Sequence, residues 1–264
     1  MSEKFPTRTV GLEVVSCTDP AREAEFFWWF RKVHIPDLKA TPGIVDVYRY
    51  RDIQYDFSSV PNNFGRGFMT PEGVPSRYLT LLRINSEDPW ALMQQIKEDD
   101  GKRAKQGRII DCYRSYEMSV WDFVAYRRTV QPPVRPETNL PDGMPEAILV
   151  VMVNVAPDME DLFYEWWLDV HAYDLVEEPG VVQGSRFRTM NPAPAEDEPN
   201  TMLIYEIDAD DPGAGVKKVF TDEMTIRRPA GRSDPQPNPR PRPTFARGLF
   251  QHVDHPVSIS SENR

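Results

Sequence analysis

The chain has 264 residues, 40% of them hydrophobic and 27% charged, the proportions of a globular protein with room for one large domain or two small ones. Its formal net charge of −10 argues against nucleic acid or an anionic membrane as the main partner. The two cysteines, Cys17 and Cys112, lack metal-type spacing and are expected as free thiols. With no signal-like apolar core near the start and no apolar run of the roughly 18 residues that span a bilayer, a cytoplasmic location is expected.

In chain order, "VGLEVVSC" reads as a first strand. Pro20 then opens a helix, where its missing N–H costs nothing, and Asp19 is the expected cap. That helix carries "EFFWWFRKVH", and Pro42-Gly43 marks the turn into strand two. Strand two puts Val45, Val47, Arg49 and Arg51 on one side and Ile44, Asp46, Tyr48 and Tyr50 on the other. A long segment at 52–76 precedes strand three, "YLTLLRI". A second helix is expected from Trp90 to about Lys105, and a last strand near Met118–Tyr126. The proline-rich stretch 129–145 reads as a linker.

The chain then repeats itself. Shifted by 137 residues, Val10–Arg51 falls on Ala147–Arg188 without a gap, with fifteen identities in forty-two positions. They include Leu12/Leu149, Val14/Val151, Trp29/Trp166, His34/His171, Asp37/Asp174, Arg49/Arg186 and Arg51/Arg188. The match resumes at a shift of 123, "RYLTLLRINSEDP" against "NTMLIYEIDADDP". A helix is expected from about Gly215 to Ile226 and a closing strand at Thr244–His252. Two βαββαβ units follow, a first repeat at 1–128 with its insert at 52–76, and a second at 146–264. Each such sheet carries both helices on one face, so the two sheets can cover each other.

The stretches "FFWWFRKVHIPDLKATPG" and "FYEWWLDVHAYDLVEEPG", set within βαββαβ units, resemble the EthD-like members of the dimeric α+β barrel superfamily. The resemblance implies an α+β fold in which two ferredoxin-like units pair antiparallel sheets as a barrel. It further implies ligands in the cleft between a unit's sheet and its helices. Members include cofactor-free cyclases, isomerases, dehydratases and decarboxylases, quinol-type monooxygenases and haem-using enzymes, so the fold narrows the chemistry only loosely.

On a helical wheel at about 100° per residue from Phe26, Trp29 falls at about 300°, Phe30 at 40° and Val33 at 340°, one apolar stripe. His34 falls near 80°, at the rim of the helix–sheet cleft, and His171 repeats that geometry. Each histidine reads as a general acid or base, with Asp37 or Asp174 three residues on to orient it. The alternative is a structural histidine bonded to the chain near the helix C-terminus. Arg49 and Arg186 could hold a developing oxyanion, or serve as salt bridges at a strand end. Tyr55, Asn63, Phe64 and Arg66 in the insert, with Trp29, Tyr50 and Trp166, suit a planar hydroxylated ligand. Since the second repeat lacks the insert, a single site in the first repeat at His34 is expected. His252 and His255 in "HVDHP" are a poor metal set, because a metal needs three or four converging ligands.

The leading expectation is therefore a lyase or isomerase without cofactor or metal, acting on a small hydroxylated aromatic or polyketide-like metabolite. Histidine acid–base catalysis would drive dehydration, decarboxylation or retro-aldol cleavage. One alternative is a haem- or oxygen-using oxidoreductase of the same superfamily. Another is a non-catalytic binding or accessory protein. A homodimer is also compatible with the resemblance.

Overall fold

The nine residues of β1 (Thr9–Cys17) are all buried, so both faces of this strand meet protein. Val10, Leu12 and Val14 point one way, while Val15 and Cys17 point the other, toward the helices. A computed structural model describes residues 9–53, 66–67, 78–129, 146–195, 198–209, 211–222 and 246–252, with side chains at 66–67, 218–222 and 246–248 excluded.

The remaining strands are β2 (Ile44–Asp52), β3 (Arg66–Gly67), β4 (Tyr78–Ile84), β5 (Tyr113–Arg128), β6 (Ala147–Val153), β7 (Val181–Thr189), β8 (Thr201–Ile207) and β9 (Ala246–His252). Hydrogen bonding runs β2-β4-β1-β5-β7-β8-β6-β9, and β9 returns to β2. All these pairings are antiparallel, so eight strands close into a barrel within one chain. Closure leaves no open edge in the ring. β5 does this by running 16 residues, pairing with β1 at its start and β7 at its end. The barrel interior is filled by Leu12, Tyr50, Trp121, Val150, Phe187, Phe250 and their neighbours, as expected of eight strands.

The helices lie outside the barrel. In the first repeat Asp19 accepts a hydrogen bond from Ala21 N–H at 3.0 Å, as expected of a cap. α1 (Glu23–Trp29) runs through a π-helical turn, Phe30–His34, into α2 (Ile35–Lys39). α3 (Pro89–Lys105) is capped by Asp88, which accepts from Ala91 N–H at 2.9 Å. In the second repeat α4 (Glu160–Trp166) passes through Trp167–His171, again a π turn, into α5 (Ala172–Val176). α6 is Pro212–Asp222, and residues 223–226 of the expected helix lie outside the described ones. Gly43 and Gly180 turn the chain into β2 and β7 at φ of 94° and 92°, a conformation that favours glycine. Among the described residues no helix is long and apolar enough to cross a membrane.

Two expectations change. The ungapped 137-residue shift holds for helix one and strand two but not for strand one. Leu12 faces Leu81 and Val150 faces Ile204, and those partners are 123 apart. Leu12 therefore corresponds to Val150, a shift of 138, and Glu13 corresponds to Val151. The identities Leu12/Leu149 and Val14/Val151 join residues on opposite faces of the sheet. Second, the rim position of His34 does not hold. A π turn bonds i→i+5 and advances less per residue, roughly 80°. Over the four steps from Phe30 to His34 the lag is roughly 80°, which brings the ring from the rim into the Phe26 stripe. His34 is accordingly 1% exposed.

Candidate active site

Four elements bring a polar cluster together outside the barrel of the first repeat. β1 supplies Glu13, the π turn His34, α3 Asp100 and the start of β5 Tyr113. His34 Nε2 lies 3.6 Å from Glu13 Oε2, with both side chains 1% exposed. The other Glu13 oxygen accepts a hydrogen bond from the Tyr113 hydroxyl. Trp29 stacks on the imidazole at 5.2 Å and 25°, and its indole N–H is pinned by the Arg108 carbonyl at 2.8 Å. Phe30 and Tyr113 close two more sides at 4.7 and 5.5 Å. Neither ring nitrogen of His34 has a hydrogen-bond partner.

The cluster lies beside a cavity of about 560 Å³ between α3 and β5. Asp100, Tyr113, Ser115, Glu117 and Met118 are among its walls, with Lys97 and Arg114 as cations. The volume suits a small ligand. Asp100 and Tyr113 line this cavity, while His34 and Glu13 sit behind them.

The environments push the carboxyls apart. Burial alone would raise Glu13, but His34, Tyr113 and Ser115 outweigh it and hold the carboxyl below its ordinary value. Burial pushes Asp100 up, with Glu13 adding to the rise and His34 and Arg103 opposing it. Burial, then the Glu13 and Asp100 charges, push the Tyr113 hydroxyl well above its usual value. Burial also raises Glu117 on the cavity wall. Carboxyl groups with opposite shifts in one cleft are the pattern of an acid–base site.

The other expected site residues fall elsewhere. Asp37 does not orient His34, because both its oxygens accept from Arg108 at 2.8 Å and Arg103 stands 3.6 Å away. Arg49 is buried under helix one, its guanidinium 3.7 Å over Phe30 and 4.1 Å over Tyr78. Arg186 is fully buried and donates to Glu160 at 2.5 Å, with Arg188 on the same oxygen at 2.7 Å. Glu23 receives Arg51 at 3.1 Å and Tyr78 at 2.6 Å. The strand-end arginines thus include a repeated structural tie to the helix start. Tyr50 points into the barrel interior, edge-on to His252, and not into the cleft. Tyr55, Asn63 and Phe64 lie outside the described residues, and Arg66 is placed only by its backbone, β3 running parallel to β9.

The second repeat is not a copy of this site. His171 stacks on Trp166 at 4.8 Å and 16°, and Asp174 is buried. The position of Glu13 is held by Val151, which packs with Phe163 and Trp167 in an apolar cluster. Glu223, in register with Asp100, lies outside the described residues. Glu13, Asp100 and Tyr113 were all missed from sequence. The one legible signal was Glu13, the only charged residue in a strand buried on both faces.

No protein-family model matches the chain, and no curated protein matches it. Solved structures do. A variant of DypB in complex with manganese aligns over 95% of this chain and 94% of its own at 12% identity, with a TM-score of 0.53. An anthrone oxidase-like protein aligns over 95% and 93% at 11% identity, with a TM-score of 0.51. A dye-decolorizing peroxidase from Bacteroides thetaiotaomicron aligns over 92% of both chains at 12% identity, with a TM-score of 0.49. At such identities the likeness to the first two establishes the fold, the α+β barrel, and not the EthD-like group within it.

Proposed function

We propose that the protein is an enzyme with one active site, in the first repeat, that takes a proton from a small hydroxylated aromatic substrate so that molecular oxygen can oxidise it. The observation that carries this is the Glu13–His34–Asp100–Tyr113 cluster at the cavity wall. Asp100 and Tyr113 are the groups a bound substrate would touch. Asp100, raised by burial, is suited to accept a proton, and Lys97 and Arg114 on the cavity wall are the cations available to an oxyanion. Glu13 behind them holds the Tyr113 hydroxyl, and His34 stands 3.6 Å from Glu13.

In the oxidation, a ring methylene or phenol loses its proton and the resulting anion reduces oxygen. For a methylene flanked by aromatic rings, CH2 and O2 become C=O and H2O. The likeness to an anthrone oxidase-like protein supports this reading over the lyase or isomerase expected first. The same proton transfer without oxygen would give that earlier outcome.

The haem-using alternative does not fit His34. An axial ligand needs a ring nitrogen facing open space, and both His34 nitrogens are enclosed by Trp29, Phe30, Tyr113 and Glu13. His171 has one face against Trp166 and Tyr205 beside it.

The test is a panel of hydroxylated polycyclic aromatics incubated with purified protein under air and under argon. Oxygen uptake matched to product, absent under argon, is the expected result. Equal product under argon would replace oxidation by lyase or isomerase chemistry.

A further inference from the structure

We propose that Glu13, His34 and Asp100 bind one divalent first-row transition metal ion, a site that rests on placing the active site in the first repeat. One ligand atom from each lies within 4.8 Å of the other two. Among the described residues no other group of histidine, cysteine and carboxylate side chains meets that condition.

The spacing decides between a metal site and a plain hydrogen bond. A hydrogen bond from imidazole to carboxylate is about 2.7–3.2 Å long. Two ligands at about 2.1 Å from a tetrahedral ion stand about 3.4 Å apart. His34 Nε2 and Glu13 Oε2 are 3.6 Å apart, too far for the first and near the second. His34 is 99% buried, and neither ring nitrogen has a hydrogen-bond partner. Buried polar atoms left this way need an explanation, and a bound ion is one.

The surroundings complete the arrangement. Metal-ligating carboxylates are usually held by outer hydrogen bonds. Here Tyr113 donates to Glu13, and Arg103 donates to Asp100 Oδ1 at 2.8 Å. Two ionised carboxylates and a neutral imidazole carry a charge that a dication balances, and Asp100 acts as proton acceptor only in the metal-free protein. One nitrogen with oxygens suits Zn2+, Mn2+ or Fe2+, whereas Ca2+ and Mg2+ take oxygen sets. Asp100 lines the cavity, so the ion would be reachable from it. With Val151 in place of Glu13, the second repeat lacks one of the three ligands.

The full-length protein, stripped with chelator, is titrated with Zn2+ and separately with Co2+, and bound metal is counted after desalting. One equivalent per chain is expected, with d–d absorption for Co2+. Glu13→Gln and Asp100→Asn should weaken binding by at least the roughly 10- to 100-fold that loss of an outer-shell partner causes. His171→Gln should leave it unchanged. Well under one equivalent, or wild-type binding in both carboxylate variants, overturns the site. If those variants do not fold, X-ray absorption of Co2+-loaded wild type decides. One imidazole with oxygen donors supports the site, and sulfur or several imidazoles overturn it. Absent binding with turnover still dependent on His34 sinks the metal and leaves the catalytic reading. Stoichiometric binding with turnover indifferent to His34 does the reverse.

Discussion

The Glu13–His34 pair yields a stability prediction that can be worked from one distance. Opposite unit charges 3.6 Å apart, as in an imidazolium–carboxylate pair, attract by about 5 kcal/mol at an effective dielectric near 20. A single variant does not lose all of it, since the removed group also sheds its desolvation cost. Glu13→Gln should destabilise by about 3 kcal/mol, the range for breaking a buried pair. A double-mutant cycle with His34→Gln removes the solitary terms and leaves the coupling. That coupling should be about 2–4 kcal/mol for a charged pair, measured with chelator present so that no ion bridges it. Urea unfolding followed by tryptophan fluorescence measures it, provided the m-values agree. The cycle of Glu13→Gln with His171→Gln is the control and should be additive within about 0.5 kcal/mol. A Glu13–His34 coupling below about 0.5 kcal/mol would refute the charged pair.

Five further substitutions have outcomes set by the geometry. Arg186→Met should cost about 2–3 kcal/mol in urea unfolding, because it empties a fully buried cation site that ties β7 to Glu160. Arg51→Ala should cost under about 1 kcal/mol, since its bond to Glu23 is solvent-exposed, and the opposite order would contradict the assignment. Glu117→Gln should stabilise at pH 7. Burial raises the folded-state carboxyl above its ordinary 4.5, so ionising it costs stability, and the gain should shrink as pH falls through the folded value. A gain that grew on acidification, read from thermal midpoints, would be inconsistent with that. Gly43→Ala should cost about 2 kcal/mol, as a β-carbon at φ +94° would sit 2.9 Å from Leu92 Cδ2. Gly101→Ala, mid-helix with nothing within 4 Å, should gain up to about 1 kcal/mol.

Much of the fold was legible because it is written twice. The repeated Pro20/Pro157, Pro42-Gly43/Pro179-Gly180 and aromatic helix fixed the element order, and the two sheets do cover each other. β5 was read too short, because its polar start, "YRSYE", lacks the apolar signature while still pairing with β1. The site was less legible, for three physical reasons. Two chance identities pulled strand one out of register by one residue, which hid the replacement of Glu13 by Val151. A straight helical wheel has no π turn, so His34 was set at a rim instead of in the core. Finally, partners are chosen across the chain: Asp37 meets Arg108, 71 residues away, and Glu13 meets Tyr113, 100 residues away. No local spacing reports such pairings.

The central claim is a single active site in the first repeat, and the turnover of two matched variants tests it most directly. His34→Gln and His171→Gln, each shown folded by circular dichroism, are assayed on a substrate from the aromatic panel. His34→Gln should lose about 100-fold in kcat/KM, the scale of displacing the groups in front of it by about 1 Å, while His171→Gln stays within about threefold of wild type. Equal losses in both variants, or a loss confined to His171→Gln, would contradict the account.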